Sequence, residues 1–484
     1  MLFRKDLRLY DNQALHAACL NHHVLPVFIW PEESAEFSMG GASKWWLHYS
    51  LKGLQNQLAA NKQQLIFLKQ TPEQSLDSIL TTLCQLNQCE HVFWNRRYEP
   101  HHIQQDTKLK AKLKDQGIAV HSFNNNLLSE PWQHVNKQGT PFKVFTPYWR
   151  HCKNAFLSSS PISSPLPMPK FQVVSDWKTP DHCQLDDFNL LPSKPDWAQG
   201  FHQYWQPGEE HAQNKWNQFL SHNIENYDQT RNFPNIDGTS KLSPHLAFGE
   251  ISTRQIWHDI QHQKNHLTIS QSDAIDCYLS EIGWREFSYY QLFHFPELPH
   301  KNFNSRFNQF KWNNNETDLS AWHKGMTGYP LIDAGLRELW QTGYMHNRVR
   351  MVVASFLCKD LLIDWQSGAT WFWDTLLDAD LASNSASWQW CAGCGADAAP
   401  FFRIFNPVTQ SEKFDPEGNY IKRWVPELSK LPSKWIHKPW EAPTDVLQSA
   451  NIMLGKHYPV PIVDHKSARL EALERYKHLK NTAI

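Results

Sequence analysis

At 484 residues the chain is about three times the ~150-residue prior for one domain, so two or three packed units are expected. Its 47 Lys and Arg balance 48 Asp and Glu to a net charge of −1, which excludes a polybasic, histone-like protein but not a local basic groove. A mean hydropathy of −0.59 and a longest nearly apolar run of only Met351–Cys358 exclude a spanning helix, which needs ~18 such residues.

In chain order, short apolar runs punctuate the first 125 residues: Met1–Phe3, Val24–Ile29, Gln64–Leu68, His91–Trp94 and Ala119–Phe123. Helix-length stretches such as Lys44–Leu58 and Pro72–Leu86 lie between them. Strand and helix alternating in this way predict an α/β, Rossmann-like unit with a doubly wound parallel sheet. No GxGxxG follows a strand, so a dinucleotide fingerprint is not its basis. The first run is clipped: either the edge strand is short or the natural start lies upstream. From Leu157 to Pro207 a Ser/Pro tract, Ser158–Pro169, followed by Pro180, Pro192 and Pro195, suits a crossing connection. Beyond Gly208, amphipathic runs at Glu210–Leu220, Thr253–Gln263, Ser272–Phe293, Pro330–Leu339 and Met345–Leu361 predict an all-α unit. The expected division is therefore 1–130, 131–207 and 208–484.

The N-terminus is charged from Arg4 onward and lacks the apolar centre of a secretory signal. Nine cysteines at irregular spacings do not read as a disulfide framework, so a cytoplasmic location is expected. The outlier is aromatic: 23 Trp among 64 aromatic residues exceed what an ordinary core requires.

Several constellations could carry chemistry. Hydroxyls cluster in Gly238-Thr-Ser-Lys-Leu-Ser-Pro244, where Ser243 reads as an N-cap and Pro244 as the first helical residue. Thr239, Ser240 and Ser243 either cap that helix or cradle a diphosphate at its start. Tyr278, Glu281, Trp284 and Arg285 share one helix face, as a surface ion pair beside aromatics or as a functional face. Asn347, Arg350, Met351 and Ala354 share another. Arg350 needs a partner if buried, and Asp378 in Asp378-Ala-Asp-Leu-Ala-Ser-Asn384 is the expected one. No His or Cys joins those aspartates at ligand spacing, so no metal site is expected there. The only CxxC, Cys391 to Cys394, lacks further soft ligands and reads as packing. The segment Phe401–Trp440 interleaves Trp424, Trp435 and Trp440 with a Lys/Arg excess of three, a weak nucleic-acid signal.

Together these blocks resemble the photolyase/cryptochrome family. The resemblance runs through Phe3-Arg-Lys-Asp-Leu-Arg-Leu-Tyr-Asp-Asn, Gly238-Thr-Ser-Lys-Leu-Ser-Pro, Trp284-Arg-Glu-Phe and Thr327-Gly-Tyr-Pro. It continues in order through Met345-His-Asn-Arg-Val-Arg-Met, Ala354–Trp365, Asp378-Ala-Asp, Trp388-Gln-Trp and Phe402-Arg-Ile-Phe-Asn-Pro, covering Leu2 to about Tyr476. Within the family it is nearest to bacterial cyclobutane pyrimidine dimer (CPD) photolyases. Gly40-Gly-Ala-Ser-Lys-Trp-Trp and Trp94-Asn-Arg-Arg-Tyr look like the subgroup called class III.

The resemblance implies a light-driven lyase: FAD, one per chain and reduced, gives an excited electron to the dimer, and the electron returns. Tyr227, Thr239, Ser240, Lys241, Leu242, Ser243, Tyr278, Arg350, Asp378, Ala379, Asp380 and Asn384 match the flavin's binding residues, with Asn384 facing its N5. Glu281 and Asn347 match polar contacts to a flipped lesion, and Trp284 and Trp390 its aromatic walls. Arg231, Arg285, Arg348, Met351, Arg403 and Gln410 match further contacts to DNA. Trp388, Trp365 and Trp312 match an inner, middle and outer electron path, and Trp340 and Trp371 are candidates for a second. UV-damaged DNA is the implied partner, with the protein a monomer that has no obligate protein partner and is nucleoid-associated when bound to DNA.

There are departures. Tyr278 stands where better-known dimer photolyases have Trp, and Lys241 replaces a common Arg. His101-His102 stands where one photolyase type uses Asn-Glu to grip methenyltetrahydrofolate. That folate in another pose is the favoured antenna; a deazaflavin or an empty cleft stay open. The competing readings are a cryptochrome without repair and a (6–4) photolyase. Against the first stand Glu281, Trp284, Asn347 and Asn384, and a chain ending soon after the shared blocks. Against the second stands a single histidine, His346, where a pair would be wanted.

Overall fold

The computed structural model describes the chain except residues 32–36, 125, 175–176, 181–182, 265–268, 314, 399–402 and 482–484. Five strands form among the described residues: β1 (Leu2–Phe3), β2 (Val27–Trp30), β3 (Ile66–Lys69), β4 (His91–Asn95) and β5 (Ala119–Phe123). All pair in parallel, as one sheet of order β1-β2-β3 and one pair β4-β5. Leu2 opposes Val27, Val27 opposes Ile66, and His91 opposes Ala119. Every residue of β2 is buried, as expected of a parallel strand covered on both faces. The covering comes from helices Gln13–Asn21, Gly41–Ala60, Leu76–Asn87 and Pro100–Asp115. Ile79, Leu83, Leu109 and Leu113 close one core with Val27, Ile66 and Trp94.

Element ends differ from the expectation for local reasons. The strand expected from Val24 begins at Val27, because Pro26 has no N–H for the ladder and contributes only its carbonyl, to Ile66. The helix expected from Pro72 begins at Leu76, after Ser75 accepts from the Ser78 N–H. Among the described residues of 131–207 the chain builds one α-helix, Phe145–Leu157, with Tyr148, Trp149 and Cys152 buried. Trp149 packs over Gly283, where any Cβ would come within 2.6 Å of the indole.

The later chain is helical. Its principal elements are Glu209–His222, Thr253–Lys264, Ile269–His294, Pro330–Thr342, Asn347–Ser355, Trp365–Thr375, Leu381–Ala392 and His465–Asn481. The expected helix Met345–Leu361 keeps α geometry only to Ser355 and continues as one π turn, Phe356–Asp360. No described helix is long and apolar enough to cross a membrane.

By contacts the chain forms two compact units. One comprises Met1–Glu225 and Ser240–Pro296, the other Asn226–Thr239 and Glu297–Ile484. In the first, buried polar bonds tie the α/β segment to the helices after it. Asp11 accepts from Arg254 (3.0 Å to Nε), Trp46 donates to Glu250 (3.0 Å), and Glu209 accepts from the Leu9 and Tyr10 N–H groups at 2.7 and 2.8 Å.

Candidate functional site

In the unit holding Glu297–Ile484, the organising feature is an ion pair. Arg350 donates to both oxygens of buried Asp378, at 3.1 and 2.8 Å, and by Nε to the Met345 carbonyl at 2.6 Å. The Arg350–Asp378 pairing expected from sequence is therefore present. Burial alone would lower the Arg350 pKa, but Asp378, then Tyr344 and Glu338, outweigh it and raise it. The guanidinium lies over the Tyr344 ring at 5.2 Å. Burial pushes the Tyr344 phenol up to about 12, and it shares a hydrogen bond with Thr239.

Asp378 and Asp380 flank buried Ala379, and Asp380 caps the helix Leu381–Ala392 by accepting from the Ser383 N–H at 2.8 Å. One turn on, the Asn384 amide nitrogen donates to the Ala369 carbonyl at 3.0 Å. That bond fixes the side chain and leaves its Oδ1 without a hydrogen bond among the described residues. The site thus presents a fixed cation, an adjacent carboxylate and a carbonyl acceptor.

Around them, Arg231 lies over buried Tyr227 at 5.3 Å. Arg348 donates to Asn232 at 2.6 Å and lies over Phe414 at 4.5 Å. Asn347 is exposed at the first turn of its helix, and Met351 is half-buried one turn on. Trp390 donates to the Asp397 carbonyl at 3.2 Å, and the Arg403 carbonyl accepts from buried Lys359. Gln410 has a buried Oε1 with no hydrogen bond in the described structure. Phe401 and Phe402 lie outside the described residues.

The tryptophans of this unit are not scattered. Trp388 is buried against Gly368, where a Cβ would sit 2.1 Å from the indole, so only glycine lets these helices approach. Trp365 is buried at the start of its helix and donates to Asn302 at 2.9 Å. Trp312 packs on the same core beside Phe310, at 4.4 Å. A second series is continuous ring to ring: Trp388 to Trp322 at 6.3 Å, Trp322 to His323 at 5.5 Å, His323 to Trp371 at 4.1 Å. Trp371 then stacks on Trp340 at 5.9 Å and 7°, and Trp340 is 52% exposed. Trp322 and His323 were not singled out from sequence, because neither stands in a distinguishing motif. Cys391 and Cys394 are buried in this core, as packing residues would be.

In the unit holding Met1–Glu225, Tyr278 is buried and donates to Ser240 at 3.2 Å, and burial raises its phenol. The helix Ser243–Ala247 begins one residue earlier than expected. Leu242 occupies the cap position with helical backbone angles, so Ser243 is not the N-cap, and Lys241 before it is left-handed at φ +50°. Glu281 and Trp284 are half-buried one turn apart on Ile269–His294. The Trp284 ring is backed by Phe145, stacked at 3.8 Å and 11°. Arg285 is engaged within the unit, donating to the Asn126 carbonyl at 2.7 Å and lying over Tyr289 at 4.9 Å. His102 meets Glu99 at 3.2 Å, and burial, then Arg97, lowers its pKa to about 3.

Comparison with known proteins adds to this geometry. A family model described as the FAD binding domain of DNA photolyase matches residues 278–478, and one described as DNA photolyase matches residues 1–170. Deoxyribodipyrimidine photo-lyase of Agrobacterium fabrum is 48% identical over 488 residues, covering 99% of this chain and 98% of that protein. Cryptochrome-2 of Arabidopsis thaliana is 38% identical over 474 residues, covering 96% of this chain and 76% of the relative. The crystal structure of a bacterial class III photolyase from Agrobacterium tumefaciens matches with a TM-score of 0.93 at 48% identity, over 99% of this chain and 97% of that one.

Proposed function

The chain belongs to the DNA photolyase/cryptochrome family, and from that membership we propose that it is a light-driven lyase that splits cyclobutane pyrimidine dimers in DNA. The observation that carries this reading is the whole-chain likeness to a photo-lyase at 48%, against 38% for a cryptochrome. Asn384 adds to it, since plant cryptochromes are expected to carry Asp there.

The residues present fit a flavin. The Asn384 Oδ1 has no hydrogen bond among the described residues and can accept an N–H, while Arg350 and Asp378 form a pre-ordered charge pair. Tyr227, Thr239, Ser240, Lys241, Leu242, Ser243 and Tyr278 are assigned to the phosphate and ribose side, with Ala379 and Asp380 beside the Asp378 carboxylate. Reduced FAD, when bound, supplies the photoexcited electron donor for ring splitting and recovers the electron, so there is no net redox change.

On the substrate side, Glu281 and Asn347 are assigned to the polar edges of the lesion, and Trp284 and Trp390 to its walls. The lesion leaves the stack to reach them, as in base-flipping enzymes, photolyases included. Phe145 behind Trp284 holds one wall fixed before the lesion arrives. Arg231, Arg348, Met351, Arg403 and Gln410 are assigned to the DNA around it, and Arg285 acts from inside its unit. Trp388, Trp365 and Trp312 carry electrons inward for recharging, and the ring series ending at exposed Trp340 is a second route.

The segment 1–130 is assigned to the antenna, with methenyltetrahydrofolate as its chromophore, 131–207 to the connection and 208–484 to catalysis. The protein acts as a monomer without an obligate protein partner, in the cytoplasm and on the nucleoid when bound to DNA.

Blue-light illumination of the reduced protein over duplexes carrying a CPD or a (6–4) product tests this. Thymines regained from the CPD alone are expected. Repair of neither lesion would leave the cryptochrome reading, and repair of the (6–4) product alone would replace the substrate.

A further inference from the structure

A small cavity of about 30 Å³, the room of one water or one small ion, lies within the unit of Met1–Glu225 and Ser240–Pro296. Four cations line it: Lys5, Arg96, Arg97 and Arg285. Their position follows from the topology. Lys5 comes just after β1, and Arg96 and Arg97 directly follow β4. β1 belongs to the sheet β1-β2-β3 and β4 to the pair β4-β5, and crevices beyond the carboxyl ends of parallel strands are where α/β units bind ligands.

The carboxylates nearby do not neutralise these cations. Asp106 is shared, accepting from Arg4 at 2.7 and 2.8 Å and from Arg97 at 2.6 Å. Glu130 serves Arg96 at 2.6 Å, and Glu99, which also lines the cavity, is bonded to His102 and feels the charge of Lys5. Asp6 is taken up by the Arg4 N–H and by Asn95. Arg285 has a backbone carbonyl at hydrogen-bond distance and the Glu286 carboxyl only at 3.7 Å. Burial pushes Glu286 up to about 8, so near neutral pH it is mostly uncharged. Five cations, counting Arg4, thus share four carboxylates. The excess is felt: burial and then repulsion from Arg97 bring Arg4 down to about 10. Arg97 also has a buried Nε–H with no hydrogen-bond partner.

We propose that this cavity is a binding site for a small monoanionic group, a free halide or the carboxylate terminus of a larger ligand, held by Arg97, Arg96, Arg285 and Lys5. The group accepts the orphaned Arg97 N–H and neutralises the local excess. The site is separate from the residues assigned to flavin and lesion, save Arg285, and does not depend on the repair reading.

The test uses the flavin-loaded protein at constant ionic strength, made up with gluconate. Sodium bromide and sodium formate are each titrated calorimetrically, and bromide-soaked crystals are examined by anomalous diffraction. One bromide peak in the cavity and saturable binding are expected, with Arg97→Gln weakening binding about tenfold. Lys5→Gln, which leaves the Asp106 pairs intact, should weaken it about fivefold and keeps the test decisive if the arginine variant does not fold. Formate bound as tightly as bromide or tighter assigns the site to a carboxylate, and formate bound more weakly assigns it to a halide. A water in the cavity with no bromide peak, or binding unchanged by Lys5→Gln, overturns the proposal.

Discussion

Two arginines on polar-faced helices meet their carboxylates in opposite ways. Arg350 is held by both oxygens of buried Asp378 at hydrogen-bond distance, and the pairing outweighs the cost of burial. Arg285 sits 3.7 Å from Glu286, donates instead to a backbone carbonyl, and leaves a carboxyl that burial drives toward its neutral form. The first arrangement builds a fixed pair of charges, which suits a site that must be electrostatically prepared before its cofactor is excited. The second leaves the cations around it one in excess of the carboxylates that pair with them among the described residues. Similar residue types on similar helices therefore serve different ends, and the distance to the carboxylate decides which.

That contrast can be broken most readily at Arg350. Arg350→Ala removes the cation that holds the buried Asp378 carboxylate by both oxygens, so a loss of about 3–5 kcal/mol and of bound flavin is expected. Thermal melting and flavin absorbance measure it. Arg285→Ala should cost only about 1 kcal/mol, because it removes a bond to a carbonyl and leaves no buried charge behind. Equal losses for the two would end the comparison.

Next in size is Trp388→Phe, on the helix that also carries Asn384. It should slow photoreduction strongly while repair by pre-reduced protein stays at wild-type yield, and Trp340→Phe should slow photoreduction less. Transient absorption of both variants separates the two routes. Smaller again, Glu281→Ala should lower the thymines regained per absorbed photon several-fold with flavin content unchanged.

The contrast can also be read through pH. Glu286 has a folded pKa of about 8 against 4.5 as its ordinary value, so the folded state holds the extra proton between those limits. Its contribution to stability is full below about pH 4.5 and is lost as pH rises toward 8. Melting temperatures of the wild type should therefore fall over that range relative to Glu286→Gln, which keeps the neutral form throughout.

What could be read from sequence depended on how local the cause was. β5 was legible to the residue, since its apolar run is bounded by Gly117 and by the Asn-rich stretch after Phe123. The Arg350–Asp378 pair was legible because an arginine in an apolar helix needs a partner and only one acidic cluster follows at reach. The cap at Ser243 was misplaced by one residue, because the backbone of Leu242 turns before its hydroxyl-bearing neighbour does. The helix Phe145–Leu157 was hidden by position between a strand and a proline-rich tract, and its docking depends on Gly283, far along the chain. The ring series through Trp322 and His323 was not legible at all. Its order is set by tertiary stacking, and nothing in a buried Trp announces which ring it will face. The charge excess around Arg97 was invisible for the same reason, since Asp106 becomes a shared partner only once the fold brings its helix to Arg4 and Arg97, which follow β1 and β4.

The central claim, a lyase that lends an electron and recovers it, is tested by turnover. The fully reduced protein, without added reductant and without oxygen, is illuminated with blue light over an excess of CPD-bearing duplex, with a dark control. Many dimers split per chain, with the flavin still reduced at the end and no repair in the dark, is the predicted result. No repair, or at most one dimer per chain with the flavin left oxidised, would contradict it.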